Sequence, residues 1–228
     1  MSRTSSANAP LDTARTKSFN FVALSLEVKE LIYKHAMFSG GHLDSKIHAT
    51  NYITTQRYLR KGFPAICFTN KLERIITTRL YLRYQTICLE RTSDASVLEA
   101  FLSEFGEARE GLSWVKYIEC GHIADRRTQG FHEDIDLIKI CPALKTVMFT
   151  FAAYLHLYDL AKCGHLTKIR FEVVHRGSSI VLGGLESVIK EFTHTFAELH
   201  GSAAVKRLDV CIIVGGDPVW VFEPRKEQ

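Results

Sequence analysis

The sequence predicts an α/β fold, with α+β as the alternative, because helix-period and strand-period segments alternate through its second half. Three observations carry this. From residue 93 onward each amphipathic stretch is followed by a short apolar strand pattern. Four strand starts share one spacing: Leu112-x-x-Val115-x-Tyr117, Leu144-x-x-Val147-x-Phe149, Leu166-x-x-Ile169-x-Phe171 and Val205-x-x-Leu208-x-Val210. The two middle copies also agree upstream, where "CPALKTVMF" from Cys141 matches "CGHLTKIRF" from Cys163 position for position. Strands joined through helices imply parallel pairing by crossover connections. An α/β sandwich keeps the same strands in another order.

The elements follow in chain order. Residues 1–18 have no periodic apolar positions and are expected to be a disordered tail, since they cannot bury enough surface to offset chain entropy. "SLEVKELIYKHAMF" is the first helix, with Ser25 as its N-cap and Glu27 in the first turn. Its apolar face is read as Val28, Leu31, Ile32, His35 and Ala36, and Gly40-Gly41 as its stop. Residues 40–62 are polar and irregular and are expected to be a long loop or insertion. A helix is expected after Pro64, running into a strand at "YQTICLE". "SVLEAFLSEFG" is a helix with Ser96 and Glu99 as a capping box and Gly106 as its stop. Strand, helix, strand, helix and strand follow at "LSWVKYIEC", "EDIDLIKIC", "LKTVMFTF", "YLHLYDLAKC" and "LTKIRFEVV". The helix "LESVIKEFTHTFAELH" and the strand "VKRLDVCIIV" complete the series, and "VLGGLE" and "GGDPVW" are read as turns. The domain reading is a tail at 1–18, a helical region at 19–92 carrying the insertion at 40–62, and a repeat-like αβ domain at 93–228, with one continuous domain over 19–228 as the alternative.

The shared strand pattern is that of a leucine-rich-type repeat, whose strand positions point inward against a helix layer. The copies are unevenly spaced, so the expectation is an irregular, mostly parallel layer and not a long horseshoe. This bears on the triplet Cys-Gly-His, which occurs at Cys120-Gly121-His122 and again at Cys163-Gly164-His165. Four soft ligands in two pairs suggest zinc. The repeat alignment, however, pairs Cys163 with Cys141 at a helix-to-strand corner and leaves Cys120 at the far end of its strand. Cys-x-His is also tighter than the usual Cys-x₂₋₄-Cys and His-x₃₋₅-His spacings. No metal and no cofactor are expected.

The chain has six cysteines and no Cys-x-x-Cys pair. With no signal-like segment and no apolar run of membrane-span length, an intracellular protein, cytoplasmic or nuclear, is expected, its thiols serving as small buried apolar groups. The net charge of +4 divides unevenly, with 14 Lys/Arg against 6 Asp/Glu in residues 1–92 and 15 against 19 beyond. "RYLRK" and "RIITTRLYLRY" interleave arginine with tyrosine, but the charge is modest and no nucleic-acid module is present, so nucleic acid is not the expected partner. No nucleophile elbow, phosphate loop, HExxH or paired-carboxylate motif occurs, and no catalytic residues are assigned.

Two segments carry a resemblance. "FNFVALSLEVKELIYKHAM" is similar to the opening helix of a large group of fungal F-box-like proteins, "LPxE[IV]RxxIY". "FPAICFTNKLERIITTRLYLRYQTICLE" resembles that group's "NRQ[IL]RxExLPLYY" segment, through Pro64-Ala65, Asn70-Lys71, Arg74, Leu80-Tyr81 and Gln85-Thr86-Ile87. The likeness spans about residues 19–123. It departs from the group at Ser25-Leu26, where Leu-Pro is usual, and at Lys29, Ile76 and Arg79, where Arg, Glu and Pro are usual. An F-box is a helical module that docks on a Skp-type adaptor of a cullin ubiquitin ligase. The resemblance therefore implies that Leu26, Val28, Leu31 and Ile32 bind a protein partner. The competing reading is that these side chains pack the helix onto its own domain. The expected function is a non-enzymatic protein-interaction domain. The alternatives are a substrate-recognition adaptor of the ligase and an enzyme of unrecognised type.

Overall fold

The structure is a computed structural model describing residues 20–39, 46–49, 63–91, 93–121, 131–151, 157–173, 179–214 and 217–221. The tail expected at 1–18, Gly40-Gly41, "RYLRK" and His122 lie outside the described residues.

The fold is α/β, built on a sheet of seven strands whose spatial order equals their order in the chain. They are β1 (Lys46–His48), β2 (Thr86–Leu89), β3 (Tyr117–Cys120), β4 (Thr146–Phe151), β5 (Lys168–Val173), β6 (Asp209–Val214) and β7 (Asp217–Val221). β1 to β6 pair parallel, each with the next, and β7 returns antiparallel to β6. Among the described residues the helices are α1 (Leu26–Phe38), α2 (Lys71–Tyr84), α3 (Asp94–Ser103), α4 (Phe131–Ile140), α5 (Leu157–Ala161), α6 (Ser179–His200) and the single turn α7 (Ser202–Val205). α1 packs on α2, and α3 to α7 pack each on the next, so the helices form a layer beside the sheet.

The strand alternation explains why the layer sits on one face. Ile47, Ile87, Ile118, Val147, Ile169 and Val210 stand in register across six strands and are all buried. One step further along, Leu89, Cys120, Phe149, Phe171 and Ile212 make a second buried row. Both rows belong to a continuous core with Leu98, Leu102, Ile138, Leu160, Ile189, Phe192 and Phe196 of the helices. Each large aliphatic or aromatic side chain so placed contributes about 1.5–3 kcal/mol of burial, which drives the layering without any metal or disulfide.

This register corrects the repeat alignment at its ends. Val147 and Ile169 occupy the column expected of them, but their partner in β3 is Ile118 and in β6 is Val210. Tyr117, expected in the core, is half-buried on the opposite face. The cause is the 3₁₀ segment Glu107–Trp114, which takes Leu112 out of the strand while still burying it. A continuous apolar run reads equally well in neighbouring registers, and only the pairing decides.

Several segments differ from the expectation. Residues 46–48, read within a loop, form the edge strand β1. "GGDPVW" contains β7, whose Pro218 is tolerated because the strand lies on an edge. Gly183 and Gly184 lie inside α6 and make no turn. α2 begins after Asn70, whose side chain accepts from Glu73 N at 3.0 Å, and runs through Thr77 and Thr78 to Tyr84. A 3₁₀ turn, Ala65–Phe68, occupies the stretch after Pro64. α3 is not opened by a Ser96–Glu99 box: it starts at Asp94, and Ser96 donates to the Ser93 carbonyl at 3.0 Å. Gly106 closes that region with φ +73°, as its stop role requires. β2 precedes the expected boundary at 92 and pairs with β3 beyond it.

Cys141 and Cys163 take the corner positions the alignment assigns. Leu144 N donates to Cys141 O and Leu166 N to Cys163 O, both at 3.1 Å. The same turn therefore feeds β4 and β5. Gly164 has a separate reason to be glycine, because a Cβ there would meet the His200 ring at 2.6 Å. That ring lies 4.7 Å from Phe196 and hydrogen-bonds the Ala161 carbonyl at 2.8 Å, locking the end of α6 over α5.

His165, beside this contact, has its Nε2 buried without a partner. Burial first, then repulsion from His200, push its pKa down, against a hydrogen bond with the Ile138 backbone that raises it. The unfolded chain therefore binds the proton more readily, so this group's contribution is intact above about pH 6.5 and is lost as pH falls through the depressed folded value. The urea midpoint is expected to fall on acidification below about pH 6.5, and His165→Asn to flatten that slope. An identical slope in the variant would exclude His165 as its source.

Candidate functional site

α1 is opened by Ser25, whose Oγ accepts from Val28 N at 3.4 Å. Glu27 in the first turn has its carboxyl held below the ordinary range by a hydrogen bond from its own backbone N–H, and then by Ser25. The helix buries Lys29, Tyr33, Met37 and Phe38. The first three recur at i, i+4 and i+8, one face of a helix. Lys29 belongs there because its stem is apolar and its ammonium donates to Val22 O at 3.1 Å. Tyr33 packs on Phe21 and gives its hydroxyl proton to the Glu73 carboxylate of α2. Phe38 stacks on Tyr81 at 6.0 Å.

The apolar face read from the sequence is therefore not the face that packs. Val28, Leu31, Ile32, His35 and Ala36 all point outward. The reading failed because a lysine hid the true face and because three aliphatic residues on the other side mimicked a core stripe. The four residues singled out for partner binding are all exposed, Leu26 at 46%, Val28 at 41%, Leu31 at 68% and Ile32 at 39%, but only the last three share the outward face, since Leu26 lies in the first turn on the side of Lys29 and Tyr33. Val22, just before the helix, is 79% exposed. None of the four is fully packed against the chain's own core.

Beside this face runs a groove of about 320 Å³ lined by Glu27, Glu30, Leu31, Lys34, Leu80 and Tyr84. Arg79 of α2 holds Glu30 at 2.5 Å, and the Lys34 ammonium lies 4.5 Å from the Tyr84 ring. These contacts fix α1 against α2 and leave Leu31 as the apolar lip. The arginine–tyrosine run of α2 is used inside the protein. Arg74 sits over the Phe105 ring at 5.5 Å, Arg79 is paired, and Tyr81 is buried.

The second surface is the sheet face away from the helix layer. Lys46, Thr86, Tyr117, Thr146, Lys168 and Asp209 stand in register there, with His48, Cys88, Glu119, Met148, Arg170 and Cys211 in the next row. Lys46 lies 2.8 Å from Glu119 Oε1 and 2.7 Å from Oε2. Burial opposes the Lys46 charge, but the Glu119 hydrogen bond and the pull of Glu119 and Glu172 outweigh it, and its pKa is raised. His48 Nδ1 is 2.6 Å from Glu90 Oε1. These side chains border a groove of about 220 Å³ with Cys88 and Gly121. A second groove, about 260 Å³, is lined by Thr86, Tyr117, Ile118, Thr146, Met148, Lys168 and Arg170.

All six thiols are buried and free. Burial pushes Cys67 and Cys163 up to about 11 and Cys141 up to about 12, and burial followed by repulsion from Glu119 pushes Cys88 up to about 12. Such thiols are poor nucleophiles near neutral pH. Among the described residues no cluster of three or more His, Cys, Asp or Glu side chains could hold a metal ion, and no helix is long and apolar enough to cross a membrane. Comparison of the chain with protein-family models, with curated proteins and with solved structures finds no match.

Proposed function

We propose that this chain is a non-enzymatic protein-interaction domain of the F-box-like kind, whose partner docks on the outer face of α1. The supporting observation is the joint exposure of Val28, Leu31 and Ile32 on a helix whose opposite face is anchored in the core, with exposed Leu26 at its first turn. Three neighbouring aliphatic side chains facing water are a cost unless a partner covers them, and clustered exposed apolar surface marks interaction sites. The groove alongside, with Leu80 and Tyr84 in its floor and Glu27, Glu30 and Lys34 at its edge, adds a partly polar rim of the kind interfaces carry.

A second reading specifies the partner. The exposed residues are the ones that the resemblance to fungal F-box-like proteins assigns to adaptor contact. This favours a Skp-type adaptor as the protein on α1, and substrate recognition for a cullin ubiquitin ligase as the role. The alteration of the usual motif at Ser25-Leu26, Lys29, Ile76 and Arg79 leaves Val28, Leu31 and Ile32 as aliphatic residues.

The test is co-purification of the tagged chain with a fungal Skp-type adaptor, wild type against the double variant Leu31→Asp, Ile32→Asp. The double variant is expected to keep its circular dichroism spectrum and its urea midpoint, because both positions already face water, and to lose the complex by tenfold or more in Kd. A folded variant that binds the adaptor as well as wild type does would exclude α1 as the docking face. Absence of any wild-type complex would remove the adaptor reading and leave the broader one to other partners.

A further inference from the structure

The groove of about 260 Å³ on the open sheet face collects three hydroxyls and a guanidinium with no hydrogen-bond or ion-pair partner among the described residues, beside the paired Lys168. Thr86, Tyr117, Thr146 and Lys168 are direct neighbours on β2, β3, β4 and β5. Their Cα atoms therefore step across the sheet at about 4.8 Å intervals. Among the described residues, the three hydroxyls make no hydrogen bond within the protein. Arg170, two residues beyond Lys168 on the same side of β5, makes no ion pair among the described residues, and its Nε is buried without a partner. Among the described residues, no carboxylate lines the groove. Two acids lie near it. Asp209 pairs with Lys168 at 3.1 Å on the rim, and Glu172, two residues beyond Arg170 on the same side of β5, makes no ion pair with it. Among the described residues, the cation of the groove without an ion pair is the Arg170 guanidinium.

An unpaired, partly desolvated guanidinium is costly, and its planar fork matches the oxygens of a carboxylate or phosphate in two parallel hydrogen bonds. Three hydroxyls in a row beside it add donors for further oxygens. A phosphate monoester has three free acceptor oxygens and a charge near −2, which suits this set better than a carboxylate with two. Tyr117 and Met148 supply an apolar wall for whatever carries the phosphate. We infer that this groove is a binding site for a phosphate monoester, held by Arg170 and Lys168 and by the hydroxyls of Thr86, Tyr117 and Thr146. The site lies on the sheet and not on α1, so it stands or falls separately from docking on that helix.

The shared chemistry can come from a phosphorylated peptide or from a free phosphate compound, and the probes separate the two. Amide NMR spectra of the full chain are titrated with inorganic phosphate, with the blocked tripeptide acetyl-Ala-phosphoserine-Ala-amide, with its unphosphorylated form and with acetate. Saturable shifts confined to β2–β5 are expected for both phosphate probes, in the millimolar range or tighter. Tighter binding of the tripeptide assigns a peptide source, and equal or tighter binding of inorganic phosphate assigns a small-molecule source. Arg170→Met is expected to weaken binding about tenfold or more, and Thr146→Val, isosteric and strand-compatible, by a few-fold. Lys190→Ala, which removes an exposed cation of α6 in the helix layer, should change nothing. Titrations with no localised shift, equal response to acetate, or undiminished binding by folded Arg170→Met and Thr146→Val would each overturn the assignment.

Discussion

Phe149→Ala is expected to lower the stability of the chain by about 3–5 kcal/mol, which is enough to unfold a domain of ordinary stability at physiological temperature. Phe149 sits on β4 with only 1% of its surface exposed. It lies between Cys120 of β3 and Phe171 of β5 in the second buried row, and its ring stacks on Phe171 with centroids 5.8 Å apart and planes at 17°. The row fills the space between the sheet and the helix layer, so the lost ring leaves a cavity that neighbouring strands, held by their ladders, cannot close. Urea unfolding followed by circular dichroism measures this directly. The midpoint should drop with the m-value unchanged, whereas a loss below about 1 kcal/mol would mean that the ring does not stand between sheet and helices.

Asp94→Ala carries the second large effect, about 2–3 kcal/mol, for a different reason. Asp94 is fully buried at the start of α3, and its Oδ2 accepts from the backbone N–H groups of Glu90 at 2.8 Å and Arg91 at 3.0 Å. The carboxylate ties the end of β2 to the helix that follows it. Two charge-assisted hydrogen bonds are worth about 1.5–3 kcal/mol each, and against them stands the burial of Oδ1, which has no partner and whose removal returns part of that sum. The bonds outweigh the orphan oxygen. Asp94→Asn keeps one acceptor oxygen and should lose visibly less than alanine in the same urea experiment. Equal losses for the two variants would show that side-chain volume, and not hydrogen bonding, is what Asp94 supplies.

The alternation of helix and strand, and the corner role of Cys141 and Cys163, were legible because each repeats a local pattern with a local cause. The turn that places Leu144 is the turn that places Leu166, and both leave the same signature in the sequence. Three features were not legible. The register of β3 depends on how the 3₁₀ segment ending at Trp114 hands the chain to Val115, and that is settled by pairing with β2 and β4. The edge strands β1 and β7 are short and polar or carry proline, so only their neighbours mark them as strands. The buried face of α1 was concealed by Lys29, since a pattern that counts lysine as polar cannot see a buried stem. The surface was legible only in part. The four aliphatic positions of α1 were named beforehand by resemblance. The donor-lined groove was not, because Thr86, Tyr117, Thr146 and Arg170 are far apart in the chain and meet only through strand register.

The account turns on α1 presenting Leu31 to solvent while Met37 and Tyr33 hold the helix in the core. Thiol labelling of single variants under native conditions reads this without knowledge of any partner, and the native cysteines give little background because all are buried. Leu31→Cys is expected to react with maleimide within about tenfold of the rate for the urea-unfolded chain, and Met37→Cys to be slowed by about a thousandfold or more, reacting only through opening of the structure. Protection of Leu31→Cys with rapid labelling of Met37→Cys would mean that the helix faces the other way, and the proposed docking surface would be core.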